Sequence, residues 1–369
     1  MKRLAELKGK GNDYVLIVLA VLLVTFGMAM LSSASSHLSQ AKTGDTLYYV
    51  KHQFMYGVLP GIVLFLALSR IYYKRYEKFA LLGMAGSILL LVLTLTPLGI
   101  IANGATRWIQ IGSLTFQPSE PLKILFIIYL AAWLSSARRH DRHTRGGFIA
   151  FLFILGIIIF LLLKQPATST AILISIIAGI MYFVSGSRWS HLFITACLIG
   201  AGLAIAVLIS PYRMTRIQAF IYPEQNAQTS GYQASQGRIA IGAGGLLGVG
   251  YGQSTTKIRS LPEPLGDSIF AVIGEELGFA GSMLLLGLFL ALIVRIFLIA
   301  HDTRDQFGHL LLMGFGSLIA IQTFVNISAI IGLLPSTGIA LPFVSYGSSS
   351  LIVFMGIIGI INNISKHSD

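Results

Sequence analysis

Ten apolar runs, near residues 14–34, 54–70, 79–99, 121–137, 147–164, 168–185, 191–210, 268–295, 308–333 and 342–363, constrain this chain more than any motif in it. Each is close to or above the roughly 17 to 25 residues that carry a helix across the hydrocarbon core of a bilayer. Hydrocarbon offers the backbone no hydrogen-bond partner, so a spanning segment is either a helix or a strand of a closed barrel. The alternating segments of about ten residues that a barrel requires do not occur. The chain is therefore read as an all-α integral membrane protein, a bundle of about ten transmembrane helices. Apolar residues make up 55% of the sequence, charged residues 11%, and mean hydropathy is +0.79, values outside the soluble range. The first run is too long for the apolar region of a signal peptide and is expected to remain as an anchor. No internal repeat, low-complexity tail or linker divides the chain, and residues 1–369 are read as one polytopic membrane domain.

Lysines and arginines in short connections orient such a bundle, because cytoplasmic loops carry an excess of them. Lys2, Arg3, Lys8 and Lys10, then Arg70, Lys74, Arg75 and Lys78, then Arg138, Arg139, Arg142 and Arg145 fall on one side. The short loops of the other side hold Lys42, Lys51, Arg107 and Lys164. Both termini are thus expected in the cytoplasm, and the long segment 211–266, between the seventh and eighth spans, is expected outside. The net charge of +12 belongs mostly to basic loops facing anionic lipid, and nucleic-acid binding is set aside. The single cysteine, Cys197, is read as a small core residue. His140 and His143 flank Asp141 in a spacing that suggests a metal site, although a solvated basic loop accounts for them better.

Water-facing loops between rigid helices are where such proteins keep binding groups, and 211–266 is the longest. It holds six glycines between Gly242 and Gly252, among them Gly244 and Gly245. Such density lets backbone amides approach an anionic ligand at positive φ, or lets a tight turn pack closely, and spacing alone leaves both readings open. It is no nucleotide motif, since no Gly-Lys-Ser/Thr closes it. Lys257 and Arg259 follow, and then two prolines in Leu261–Gly266 present Asp267 at the start of the eighth span. There Asp267 is either a helix cap or a functional carboxylate. Glu275 and Glu276 lie further into the same apolar run, where an ionisable group faces a polar cavity or a partner. Being adjacent, they point about 100° apart, so one is expected to pair with a neighbouring helix.

Two more polar strings fall on the same side. Asn103–Trp108 leads through Phe116–Glu120 into the fourth span, where Ser119 resembles an N-cap and Lys123 stands three positions after Glu120, as an ion pair would. Leu341–Ser350 enters the tenth span with a run of hydroxyls, Ser345 among them, that either bond across helices or line a cavity.

Together these strings resemble the SEDS family (shape, elongation, division and sporulation), and its cell-division branch, FtsW, more than its elongation branch, RodA. The carriers are NGATRWIQIG, FQPSE, YRMTRI, GYQASQ, IAIGAGGLLGVGYGQS, LPEPLGDSIFAVIGEELGF and TGIALPFVSYGSSSL. The resemblance implies a ten-helix bundle in the bacterial cytoplasmic membrane, at the division septum, that polymerises lipid II into glycan strands on the outer face. Lipid II is a disaccharide peptide on undecaprenyl pyrophosphate. It also implies partnership with a class B penicillin-binding protein, the transpeptidase, and with other divisome membrane proteins. Asp267 aligns with the family's essential aspartate. Three strings depart from the family pattern. Gln165–Thr170 reads QPATST without the usual acidic group, Leu265–Ser268 reads LGDS, and Tyr346–Ser349 reads YGSS.

With the resemblance added, Asp267 is expected to act as general base or to hold a divalent cation such as magnesium or manganese. Arg107, Arg216, Lys257, Arg259 and the backbone at Gly244 and Gly245 are the candidates for leaving-group charge, with Ser345 beside them. Glu120, Lys123, Glu275 and Glu276 are expected to be structural or to line a cavity. The main rival is a lipid II flippase, expected to show repeated halves or broken helices near the midplane. A non-catalytic scaffold for the transpeptidase is the second.

Overall fold

The computed structural model describes residues 11–102, 105–111, 114–136, 145–222 and 231–367. The basic clusters of Lys2–Lys10 and Arg138–Arg142, the His140–Asp141–His143 group and Asn103–Gly104 lie outside them. Helices stand where the ten apolar runs were expected: α1 (Tyr14–Thr43), α2 (Tyr48–Arg70), α3 (Lys74–Leu93), α4 (Ser119–Ser135), α5 (Arg145–Lys164), α6 (Thr168–Val184) and α7 (Trp189–Ile209) in the first part. After three shorter helices, α8 (Pro211–Ile221), α9 (Tyr232–Gly244) and α10 (Thr256–Arg259), come α11 (Ile269–Asp302), α12 (Gln306–Ile330) and α13 (Ser348–Lys366). Among the described residues eight helices are long and apolar enough to cross a membrane. The other two, α4 and α6, are 17 residues each.

Side-chain caps mark several ends. The Asp13 carboxylate accepts from Leu16 N at 3.0 Å to start α1, which stops at Gly44 in the left-handed region. Asp305 does the same for Gly308 N at 2.9 Å to start α12. Such caps satisfy amides the helix itself leaves unpaired. The core is built on α12 and α13, whose spans are 72% buried, whereas that of α7 is only 6% buried. Small residues let α13 approach α2 closely, and a Cβ at Gly359 would come within 2.7 Å of the Phe65 carbonyl oxygen. The peripheral place of α7 corrects the reading of Cys197, which is exposed on that helix rather than packed in a core.

Two further expectations change. The connection after α3 is a three-stranded antiparallel meander, β1 (Gly99–Ala102), β2 (Ala105–Ile111) and β3 (Leu114–Phe116), in the order β1-β2-β3. The bundle itself is helical as expected, with this small sheet added in the connection. This β-branched and aromatic stretch is too short to span and pairs with its own neighbours, Ile109 opposite both Gly99 and Phe116. Segment 211–266 is likewise not one long loop. Arg213 on α8 ties that helix to three others, donating to Leu163 O on α5 at 2.6 Å, Thr168 Oγ1 on α6 at 2.9 Å and Ala206 O on α7 at 3.0 Å.

The glycines after α9 resolve the choice between nest and packing. A Cβ at Gly244 would overlap the Gly274 carbonyl oxygen, and one at Gly248 would overlap the Glu276 carbonyl. The turn that follows inserts into a break in α11 at Gly278, whose φ of 64° and ψ of −160° are not helical. There the turn takes over the missing helical hydrogen bonds. Val249 N and Gly250 N donate to the carbonyls of Glu275 and Glu276 at 3.0 and 3.1 Å, while Phe279 N and Ala280 N donate to Gly245 O and Leu246 O at 2.9 and 3.0 Å. Gly244 serves this close approach rather than an anion, and Gly245 turns the chain at a φ of 54°.

Both buried glutamates secure the same turn. Glu275 accepts from Ser254 Oγ at 2.5 Å, Thr255 N at 3.0 Å and Thr256 N at 3.3 Å. Glu276 pairs with Lys257 Nζ at 2.5 Å and accepts from Ser33 Oγ of α1 at 2.6 Å, while Lys257 also donates to Gly252 O at 3.2 Å. The Lys257 and Glu276 side chains are 2% and 0% exposed. Lys257 is thus a bundle lysine, not an outward-facing phosphate ligand. Removing one partner of such a pair strands the other charge. Lys257→Met is expected to lower unfolding stability in detergent by roughly 3 to 5 kcal/mol, with much of the loss recovered in Lys257→Met/Glu276→Leu. Equal destabilisation by single and double variants in thermal unfolding would contradict this. Gly248→Ala and Gly252→Ala both face a left-handed φ of 83°, but only Gly248 also meets backbone. Gly252→Ala should cost about 1 to 2 kcal/mol, and Gly248→Ala distinctly more in the same assay.

Candidate active site

Asp267 stands just before α11, where Ser268 is the N-cap residue and makes no side-chain cap bond. The helix is therefore not capped by Asp267, whose carboxylate turns elsewhere. The turn before it is tight. Glu263 has a φ of 48°, and its carbonyl accepts from both Gly266 N at 3.0 Å and Ser268 N at 3.3 Å. Ser345 pins the same turn from the α12–α13 connection, donating to Gly266 O at 2.7 Å while accepting from Leu341 N at 2.8 Å. Tyr346 N adds a bond to Leu265 O at 2.8 Å. Ser345 thus holds the backbone beside Asp267 and does not line the pocket.

That pocket, about 220 Å³ including its open mouth, is bounded by Asp267, Gln233 and Asn326, with Ser336 and Thr337 across from them. The space enclosed behind the mouth holds about one water, so a large substrate would sit at the mouth. Its far wall is the irregular segment 336–340, and a Cβ at Gly338 would lie 3.9 Å from Asp267 Oδ2. Four carbonyls of that wall are satisfied by side chains from three helices. Arg216 on α8 donates to Ser336 O at 3.2 Å and Ser169 on α6 to Thr337 O at 2.7 Å. Asn326 and Gln322 on α12 donate to Ile339 O at 2.7 Å and Ala340 O at 2.9 Å.

Asp267 Oδ1 is buried with no hydrogen-bond partner among the described residues, and the same holds for Asn326 Oδ1. Burial pushes the Asp267 carboxyl above the usual carboxylate range. The Gln233 side chain pulls it down, the charge of Glu263 pushes it up, and the charge of Arg216 pulls it down. A buried carboxylate with one oxygen unpaired at a pocket wall is suited to accept a proton or a cation.

Of the residues expected at the site, the structure brings together Asp267 and Arg216, with Ser345 one layer behind. Arg107, on β2, donates instead to the carbonyls of Gln165 and Pro166 and braces the altered QPATST string. Arg259 closes α10, and its side chain lies outside the described residues. Lys257, Glu275 and Glu276 gather at the break in α11. Glu120 and Lys123 form the expected ion pair at 2.8 Å inside the bundle, where Lys123 also donates to Gln322 Oε1 at 3.1 Å and lies over the Phe354 ring. Ser119 is the first residue of α4 and not its cap. Sequence reading missed Gln233, Asn326 and the 336–340 wall. The signal for Asn326 was its place with Gln322 and Thr323 in an otherwise apolar span, since polar groups at membrane depth mark function or pairing.

Known proteins share this architecture. The chain aligns over 98% of its length, at 38% identity, with 94% of the "Probable peptidoglycan glycosyltransferase FtsW" of Trichlorobacter lovleyi. At 37% identity it aligns over 98% of its length with 99% of the stage V sporulation protein E of Bacillus subtilis. Among solved structures, a chain from one described as "Structural coordination of polymerization and crosslinking by a peptidoglycan synthase complex" superposes with a TM-score of 0.80, at 26% identity, covering 96% of this chain and 97% of that one. The rod shape determining protein RodA of Thermus thermophilus superposes with a TM-score of 0.71, at 27% identity, covering 97% of each chain. With residues 13–369 matching the family described as cell cycle protein, which groups FtsW, RodA and SpoVE, the chain belongs to that family, the SEDS family its loop strings resemble.

Proposed function

We propose that this chain is a peptidoglycan glycosyltransferase of the division branch that polymerises lipid II at the outer membrane face, with Asp267 as general base. The observation that carries the reading is the Asp267 carboxylate itself, buried, unpaired at Oδ1 and set in the wall of a pocket beside Arg216. In this reading the 4-hydroxyl of an acceptor sugar attacks C1 of the lipid-linked donor with inversion. Its proton passes to Asp267, and polyprenyl pyrophosphate departs. Arg216 supplies positive charge on the Asp267 side. The tight turn at Glu263–Ser268 keeps the base from swinging into water, which favours a fixed line of attack.

In the alternative role, as cation ligand instead of base, Asp267 presents an oxygen that suits a hard divalent cation such as magnesium or manganese, since magnesium is commonly held by one or two carboxylates together with substrate phosphates and water. When bound it would neutralise charge on the pyrophosphate. Both termini on the cytoplasmic side, a septal location, and a class B penicillin-binding protein as transpeptidase partner complete the proposal. The peptidoglycan synthase complex among the structural relatives supports the last of these.

A flippase for the same lipid is the second reading, favoured by one feature, the break in α11 at Gly278 beside a buried ion pair. Purified protein with its candidate transpeptidase, given fluorescent lipid II with crosslinking blocked, separates the two. Glycan ladders from wild type and a loss of about 10²- to 10⁴-fold in Asp267→Asn are expected. Lipid scrambling by wild type in vesicles without any ladder would move the assignment to transport. Because the base works ionised and burial raises its pKa, the acid limb of kcat/KM should lie above the usual carboxylate value of about 4. Arg216 opposes that rise, so Arg216→Gln should move the limb to still higher pH. A limb at or below the wild-type position in Arg216→Gln would contradict this.

A further inference from the structure

Lys123 and Asp267 are linked by an unbroken series of bonds that the proposed chemistry leaves unused. The Lys123 ammonium, a donor only, forces the Gln322 oxygen toward itself at 3.1 Å and leaves the Gln322 amide nitrogen for Ala340 O at 2.9 Å. One turn further along α12, the Asn326 amide nitrogen divides its two hydrogens between Ile339 O at 2.7 Å and Asp267 O at 2.8 Å. With two carbonyls fixing its nitrogen, Asn326 leaves Oδ1 without a partner among the described residues, at the pocket. Gln322, Asn326 and the carbonyls of Ile339 and Ala340 thus form one rail, with an ion pair at one end and Asp267 at the other. We propose that Gln322 and Asn326 are positioning residues, which carry the placement of the Glu120–Lys123 pair through the 339–340 backbone to Asp267. The bonds run from 2.7 to 3.1 Å, their amide orientations are dictated by single-role partners, and both side chains are about 1% exposed, so little solvent competes for them.

This proposal rests on the catalytic reading of Asp267 only for its effect on rate, and a second measurement is independent of it. Gln322→Glu keeps the acceptor for Lys123 but loses the donor to Ala340, while Asn326→Leu cuts the bond to Asp267. Amide exchange of residues 262–268, followed by mass spectrometry, is expected to speed up in both. In polymerisation both should lower kcat by up to about 10²-fold with KM little changed, as a misplaced base would. The double variant should be no worse than Asn326→Leu alone, because the two lie on one series of contacts. Unchanged exchange at 262–268 in Gln322→Glu, or fully additive losses in the double variant, would overturn the rail. If wild type makes no glycan, the catalytic reading fails while the exchange result still decides the rail.

Discussion

Irregular backbone packed inside the bundle governs this structure. An amide or carbonyl buried without a partner costs several kcal/mol, and the chain is irregular in two packed places, at Gly278 and across residues 336–340. Each departure is compensated group by group. At Gly278 the glycine-rich turn supplies two donors and two acceptors to the broken ends of α11. Across 336–340, side chains from α8, α6 and α12 donate to four carbonyls. Asp267 stands just before α11, against Gly338 and upstream of the break at Gly278.

The cluster at the break explains why charge is tolerated inside the bundle. Glu275 satisfies a stretch of turn backbone, and Glu276 is neutralised by Lys257 while also binding Ser33 of α1. Their side chains point apart and so hold different pieces of the same turn. Around Asp267 the arrangement is the reverse. Its backbone is held by Asn326 and its turn by Ser345, yet one carboxylate oxygen is left without a partner. Securing the backbone while leaving the carboxylate open keeps a reactive group in a fixed place.

Several departures from the sequence reading share one cause. In the sequence, Cys197, Lys257 and Gly244 are read from their neighbours in the chain, whereas their roles are set by neighbours in space. An apolar run does not say whether its helix lies at the centre or the edge, so the exposure of Cys197 on α7 was hidden. A lysine after a glycine-rich string looks available to phosphate until Glu276 and Ser33 are seen around it.

The membrane setting and the ten-helix plan are legible in the chain of residues, because hydrophobic length and backbone satisfaction are local demands that each segment meets alone. So are Asp267, Glu275, Glu276 and the Glu120–Lys123 pair, since ionisable groups in or beside apolar runs stand out whatever the fold. Which of these is open and which is paired is set by how the helices pack. That packing placed Gln322 and Asn326 against residues 339 and 340, brought Arg216 to Asp267, and turned a run of glycines into the missing rung of a broken helix. Those outcomes depend on contacts between residues far apart in the chain, which no spacing rule records.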